Sequence, residues 1–272
     1  MKSTILKWFD LLNIPSQWRD EVAMAADSFD KTDIEKEDDP FAYLAKHENK
    51  MLTLLYSLYR CEEFFETAKK RDIPDDILFA TLTEVRRYTI EYNNMTKGEK
   101  LGIYVGNWVG KILRGEIYRL GRLEFEMRTC PRSSEKHGIE VGDNVIGVHI
   151  PDNGGPFTPE ACNEAYKLSE EFFAKYFPEY QYKCYVCSSW LLDKTLKQFL
   201  SPDSNIVKFM DSFDIDEKTT EAYSSLTFLF GRGTEIKDLY HITPTTSLQK
   251  KVIDHLLNGG KLYSGYGFKE RP

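Results

Sequence analysis

The sequence predicts an α+β protein, and three observations carry that expectation. Apolar residues recur at helical spacing over residues 1–115, and the period then switches from 3.6 to 2 after Gly115. An apolar run at 145–150 meets a glycine pair and a threonine–proline step that opens an amphipathic segment. With 272 residues, 41% hydrophobic and 14% aromatic, the chain can bury one large core or two modest ones. The expected division is a helical domain over 1–115 and a second domain over 116–272.

In the first part, Ser3 is placed to cap a helix carrying Ile5, Leu6, Phe9 and Leu12. Pro15 and Ser16 open a second helix with Trp18, Val22 and Ala25. Residues 27–39 are acidic and aperiodic, which reads as a solvated linker; a metal loop would need ligands and a glycine at set places. Leu52, Leu55, Tyr56, Tyr59 and Phe64 resume the helical pattern. Pro74-Asp75-Asp76 starts another helix, which ends at Lys97-Gly98, and Trp108, Val109, Ile112 and Leu113 mark the last. Short connections imply an antiparallel helical bundle.

In the second part, residues 118–128 alternate Leu123, Phe125 and Met127 with Glu124, Glu126 and Arg128, as a half-buried strand with a polar outer face would. A turn at Gly142-Asp143-Asn144 leads to a strand over 145–150, expected to pair antiparallel with the first. A helix over 159–177 follows, then a strand over 182–191 and a short helix over 192–200. Strands are expected at 205–213 and 222–231, a helix from Thr246-Ser247 to Leu257 closed by Asn258-Gly259-Gly260, and a final strand over 262–268.

The junction VIGVHIP-DNGGPFTPE is the segment closest to chemistry. Thr158 suits an N-cap, Pro159 the first helical position and Glu160 the positive end of the dipole. Gly154 and Gly155 permit positive φ and close approach of a ligand to the main chain. Such a place suits phosphates, though a tight strand-to-helix loop accounts for it equally. The net charge of −7 argues against nucleic acid as the partner. No apolar run reaches the roughly 18 residues of a membrane span, so no membrane partner is expected. The N-terminus reads as an amphipathic helix, and the odd count of five cysteines points to a reducing cytoplasm.

The segments VIGVHIP, GGPFTPEAC, EEFFAKYFPE, CSSWLLD, DSNIVKFMDSF and NGGKLYSGYGF, in this order, resemble the GNAT-like acyltransferase domain proteins of bacteria. That resemblance implies a helical region packed on a GNAT-like mixed, mostly antiparallel sheet with flanking helices. It further implies an acyl-CoA-dependent N-acyltransferase, with acetyl-CoA or another acyl-CoA as co-substrate and an amine on a small molecule as acceptor. In such proteins a central strand splays from its neighbour and takes the pantetheine arm, while the pyrophosphate lies over the following helix start. Mapped here, the strand is 145–151, the loop 152–158 and the neighbour 182–191. Val148, Ile150, Asn153, Gly154, Gly155 and Thr158 are then the residues that hold the cofactor. The loop departs from the usual glycine spacing of the family, and Pro156 removes one backbone donor.

Attack of an amine on a thioester needs a base near the amine, donors for the carbonyl oxygen and an acid for the thiolate. Glu124 and Glu126 share a strand face and can serve as base or be solvent-facing carboxylates. His149 titrates in a useful range, or is a satisfied structural histidine. Ser188 and Ser189 can contact thiolate or substrate, or simply bond a strand end. The expected catalytic set is Glu124, His149 and Ser189. The tyrosine acid often found in the helix after the neighbouring strand is absent from 193–200. Arg119, Arg122 and Arg232 can neutralise phosphates or line a solvated edge. Trp190 reads as core rather than as a substrate platform. Cys184 and Cys187 are three apart in a strand and face opposite sides, so no metal site is expected. Cys162, in a helical first turn, would feel a dipole that lowers its pKa. Two other readings stay open: a non-catalytic GNAT-like binding module, and an interaction protein working through its helical half.

Overall fold

Helical spacing in the first 113 residues does produce helices. A computed structural model describes residues 1–216, 219–222 and 224–272, and the chain divides into two units, Met1–Leu120 and Gly121–Pro272. In the first unit, α1 (Lys2–Leu11) begins one residue before Ser3, with Met1 rather than Ser3 at its cap. Its inward side, Ile5, Trp8 and Phe9, packs on α4 (Lys50–Lys69), where the Trp8 indole N–H donates to Glu62 at 2.7 Å. Between them lie α2 (Arg19–Asp27) and α3 (Pro40–Lys46), the latter capped by the Asp39 carboxylate. The acidic stretch expected to be a linker is tied down by a 3₁₀ turn at Ile34–Lys36 with Ile34 buried. Phe29 and Ile34, both buried, anchor this otherwise polar segment. Helices α5 (Asp75–Met95) and α6 (Gly106–Leu113) follow. The unit closes with β1 (Ile117–Leu120), where Arg119 N–H donates to the Thr81 hydroxyl of α5 at 3.0 Å.

The single strand expected over 118–128 is two. Gly121, at φ +63°, breaks the run, and β2 (Leu123–Thr129) starts after it. In the second unit, β3 (Asn144–His149) pairs antiparallel with β2. After α7 (Pro159–Tyr176) comes β4 (Tyr185–Ser189), parallel to β3. The expected short helix after β4 is a pair of 3₁₀ turns, Trp190–Leu192 and Lys194–Gln198.

Two expected strands are helices: α8 (Asn205–Asp211) and α9 (Ser224–Phe230). Their apolar residues are too few to separate a period of 2 from 3.6, and Ser204, whose hydroxyl accepts from Val207 N–H, tips the first into a helix. Tyr223, within the second expected strand, lies outside the described residues. Short β5 (Asp214–Ile215) and β6 (Thr220–Glu221) both pair with β7 (Tyr263–Lys269), which follows α10 (Ser247–Leu257). The sheet order in this unit is β2-β3-β4-β7-β5. Among the described residues the β3–β4 pairing is parallel and the other pairings of this unit are antiparallel.

Strand alternation divides the sheet into two faces. Phe125 and Tyr185 meet Tyr166 of α7 on one face. On the other, Val145, Cys184, Val186, Tyr266 and Phe268 form a core with Cys130 and Ile139 from the loop between β2 and β3. A further core joins Leu226 of α9 to Leu239, Val252, Ile253, Leu256 and Leu262.

Candidate functional site

The register of β3 against β4 is short. Ile146 lies opposite Tyr185 and Gly147 opposite Val186, and the pairing goes no further. Beyond that point β3 stays with β2 as far as His149, while β4 stays with β7 as far as Ser189. The two strands therefore part at the centre of the sheet. Ile146 N–H donates toward β4, to the Cys184 carbonyl. The expectation for Val148 is corrected by this register: the Gly147–Val186 pairing engages the Val148 N–H against β4, and by strand alternation Ile150 is the next residue whose N–H faces the gap.

Beside this gap, on the face opposite α7, lie Glu124, Glu126, Arg128 and His149. The expected polar outer face is not solvent-facing. Glu124 and Glu126 are each only 2% exposed, and a carboxylate so buried needs specific partners. His149 Nε2 lies 2.9 Å from Glu126 Oε2, and Arg128 Nη1 lies 3.5 Å from the same oxygen. The His149 side chain keeps 26% of its surface in solvent while its Nε2 is held against Glu126. Gly147 stands directly opposite Glu126 in the register. A Cβ built there would come within 2.9 Å of Arg128 Cδ and 3.2 Å of Glu126 Oε2. The glycine is the space that these two side chains occupy.

The strand-to-helix junction forms as its residues require. The Thr158 hydroxyl accepts from Ala161 N–H at 3.2 Å, with Pro159 and Glu160 in the first turn of α7. Asp152 and Asn153 lie exposed in the loop. Gly155 takes φ +78° with open space where a side chain would be. Gly154 has a different reason from the ligand approach expected of it. A Cβ there would overlap the Arg122 guanidinium, which donates to the Pro151 carbonyl at 2.7 Å and lies 5.1 Å over the Phe157 ring. Arg122, 8% exposed, is thus the buried clasp of the loop.

The other expected residues separate. Ser189 accepts from Leu191 N–H at 3.1 Å and so caps the turn after β4, while Ser188 is exposed across from Tyr266. Cys162 differs from expectation: burial pushes its thiol up to about 11, against the pull of the Arg122 and Lys269 charges and of the dipole. Cys184 joins the core beneath Val186, and Cys187 lies fully buried with its thiol raised by desolvation to about 12. Trp190 is not a core residue; it is half-buried and stacks on exposed Phe228. Sequence reading missed the pairing of His149 with Glu126 and the clasp by Arg122. The one available signal was Gly147, a glycine inside an apolar strand.

A parted central strand pair with a capped helix start above it defines an acyltransferase-type fold. Residues 117–269 match the family model of the GNAT-like C-terminal domain, and the chain belongs to that family. No curated protein matches it in sequence. Among solved structures it is similar in fold to an acyltransferase in complex with decanoyl-CoA and teicoplanin, at 24% identity and TM-score 0.76. An acyltransferase in complex with CoA and 10C-teicoplanin aligns at 24% identity and TM-score 0.77, and an acyltransferase mutant in complex with octanoyl-CoA at 23% and 0.76. Each alignment covers 97% of this chain and 86% of the other. Among the described residues no helix is long and apolar enough to cross a membrane.

Proposed function

We propose that this protein is an acyl-CoA-dependent N-acyltransferase acting on an amine of a small molecule. The observation that carries the reading is the parting of β3 from β4 directly beside the His149–Glu126 pair. The acyl-CoA complexes of the fold neighbours support the donor.

CoA would lie with its pyrophosphate against the loop 152–158 and the start of α7, where the positive end of the helix dipole favours anions. Its pantetheine arm would run along the edge of β3. The N–H group of Ile150, beyond the last β3–β4 pairing, then supplies a donor to the arm or to the thioester oxygen. Glu126, by accepting from His149 Nε2, leaves the lone pair on Nδ1. The amine nitrogen attacks the thioester carbonyl carbon, and Nδ1 takes the proton the nitrogen sheds. The tetrahedral intermediate collapses by breaking the C–S bond, and the imidazolium returns the proton to sulfur. The products are an amide and free CoA. Acetyl is the simplest acyl group for this route.

The division into a helical domain over 1–115 and an acyltransferase domain over 116–272 is part of this reading. The negative net charge supports a small-molecule acceptor over nucleic acid, and five free, buried cysteines support a reducing cytoplasm.

Calorimetric titration with CoA, followed by a free-thiol assay with acyl-CoA and a panel of amines, tests the proposal. Binding and amine-dependent thiol release are expected; failure of CoA to bind overturns it. The capping role of Ser189, whose hydroxyl accepts from Leu191 N–H at the turn after β4, favours a second reading, a non-catalytic binding module. Binding without thiol release across the panel would decide for that module.

A further inference from the structure

Strand β4 leaves the gap straight into Trp190, the residue after Ser189. Its neighbours Leu191 and Leu192 take the core positions, at 7% and 0% exposure, and leave the indole only half-buried. Phe228 of α9 lies on it with ring centroids 6.0 Å apart and planes 19° from parallel. Phe228 is 60% exposed, so the face of the stacked pair meets water. The core beside α9 is already filled, by Leu226 with Leu229 and Phe230 packed against it. Phe228 therefore stacks on the indole outside that core.

A second observation lies on the same helix. Ser225 is three residues before Phe228, so the two share a face. It is 2% exposed, and among the described residues its hydroxyl has no hydrogen-bond partner. A buried hydroxyl with no partner beside an aromatic slab suits an occupant that joins an apolar chain to a hydrogen-bond acceptor.

We propose that Trp190 and Phe228 form the wall against which the acyl tail of the donor lies, and that they set the acyl length this protein accepts. The inference rests on the acyl-CoA reading above and deepens it. The tail leaves the thioester in the gap and runs along β4 onto the indole–phenyl slab, while the Ser225 hydroxyl donates to a carbonyl of the donor. Acetyl is too short to cover the slab. A chain of several methylenes covers it and takes the Phe228 ring out of water.

The test is calorimetric titration of the full chain with CoA, acetyl-CoA and octanoyl-CoA, on the wild type and on Phe228→Ser, Trp190→Ala and Ser225→Ala. Full burial tightens binding about fourfold per methylene, so partial cover of six more carbons is expected to favour octanoyl-CoA over acetyl-CoA by at least about tenfold. In Phe228→Ser and Trp190→Ala that ratio should fall below about threefold, with CoA binding by the same variant as the check on its folding. Ser225→Ala should weaken both esters by a similar factor and leave their ratio in place. Equal affinity for the two esters in the wild type, or a ratio that survives both aromatic substitutions, overturns the proposal while the acyl-CoA reading stands. No binding of CoA itself overturns that reading, and this inference with it.

Discussion

His149 and Glu126 approach to 2.9 Å without being partners in the β2–β3 register. Glu124 stands opposite His149, and Glu126 stands opposite Gly147. The contact is a diagonal one across the pair of strands, and bare Gly147 is what lets the Glu126 side chain reach along it. One carboxylate oxygen thereby fixes the ring orientation and the tautomer of a half-open histidine.

Glu126→Gln keeps the shape and removes the charge, so the fold should survive while the histidine loses its orienting acceptor. Activity is expected to fall about 10- to 100-fold, as for loss of part of an acid–base contribution. His149→Ala should cost about 10²–10⁴-fold, the usual value of a positioned base. Thiol release as a function of pH measures both. An unaltered pH profile in Glu126→Gln would leave the carboxylate with a structural role only.

Gly147→Ala tests the diagonal from its other side. The added methyl must push Arg128 or Glu126 aside, since its Cβ would stand 2.9 Å from Arg128 Cδ. Overpacking of this kind costs about 1–3 kcal/mol. On the proposed mechanism the disturbed groups would face the acceptor, so activity should fall with little change in KM for acyl-CoA. A KM effect alone would place Gly147 on the donor side.

The order of helices, the change of period near Gly115 and the strand–loop–helix junction were legible because each has a local cause. Thr158, Pro159 and Glu160 form a helix start whatever surrounds them. The burial of Glu124 and Glu126 was not legible, since alternation reports which residues share a face and not whether that face meets water. Segments 205–213 and 222–231 were misread as strands, because short apolar runs do not fix a period. Arg122 and Gly154 lie 32 residues apart, and only the fold brings the guanidinium against the glycine.

The two loop glycines should respond differently to alanine. At Gly154 the methyl overlaps Arg122 and must dislodge the clasp on Pro151 and Phe157. Gly154→Ala is expected to lower stability by about 1–3 kcal/mol and to weaken CoA binding. At Gly155 the space is open, and the cost is the positive φ alone, about 1–2 kcal/mol. Thermal melts with and without CoA separate them: the CoA-induced rise in Tm should shrink far more in Gly154→Ala.

Cys162 should be inert at neutral pH. Desolvation raises its thiol to about 11 despite nearby Arg122 and Lys269. At pH 8 about a thousandth is thiolate, the reactive form. Alkylation of the native protein by iodoacetamide should therefore be slow at pH 8 and quicken about tenfold per pH unit up to pH 10. Rapid labelling of Cys162 at pH 7 would show that the helix dipole outweighs burial.

Near the C-terminus, Arg271 grips Glu170 of α7 through Nη2 at 2.5 Å and Nε at 3.1 Å, while the Tyr182 and Tyr185 hydroxyls donate to the same carboxylate at 2.7 Å each. Burial alone would raise the Glu170 carboxyl, but these donors outweigh it and hold it below the ordinary carboxylate range. A depressed carboxyl stabilises the fold at every pH above its unfolded value of about 4.3 and loses that contribution as pH falls through the folded value. Arg271→Ala removes the charged partner and leaves desolvation dominant, so protonation and the loss of stability begin at a higher pH. Because the Arg271 side chain is 40% exposed and Glu170 23%, solvent screening limits the effect to about 1 kcal/mol near pH 7. Melting curves from pH 3 to pH 8 should show wild type and variant converging at the acid end and separating above pH 5. A constant gap across that range would mean that Arg271 acts by packing over the Tyr182 ring, 4.3 Å away, rather than through its charge.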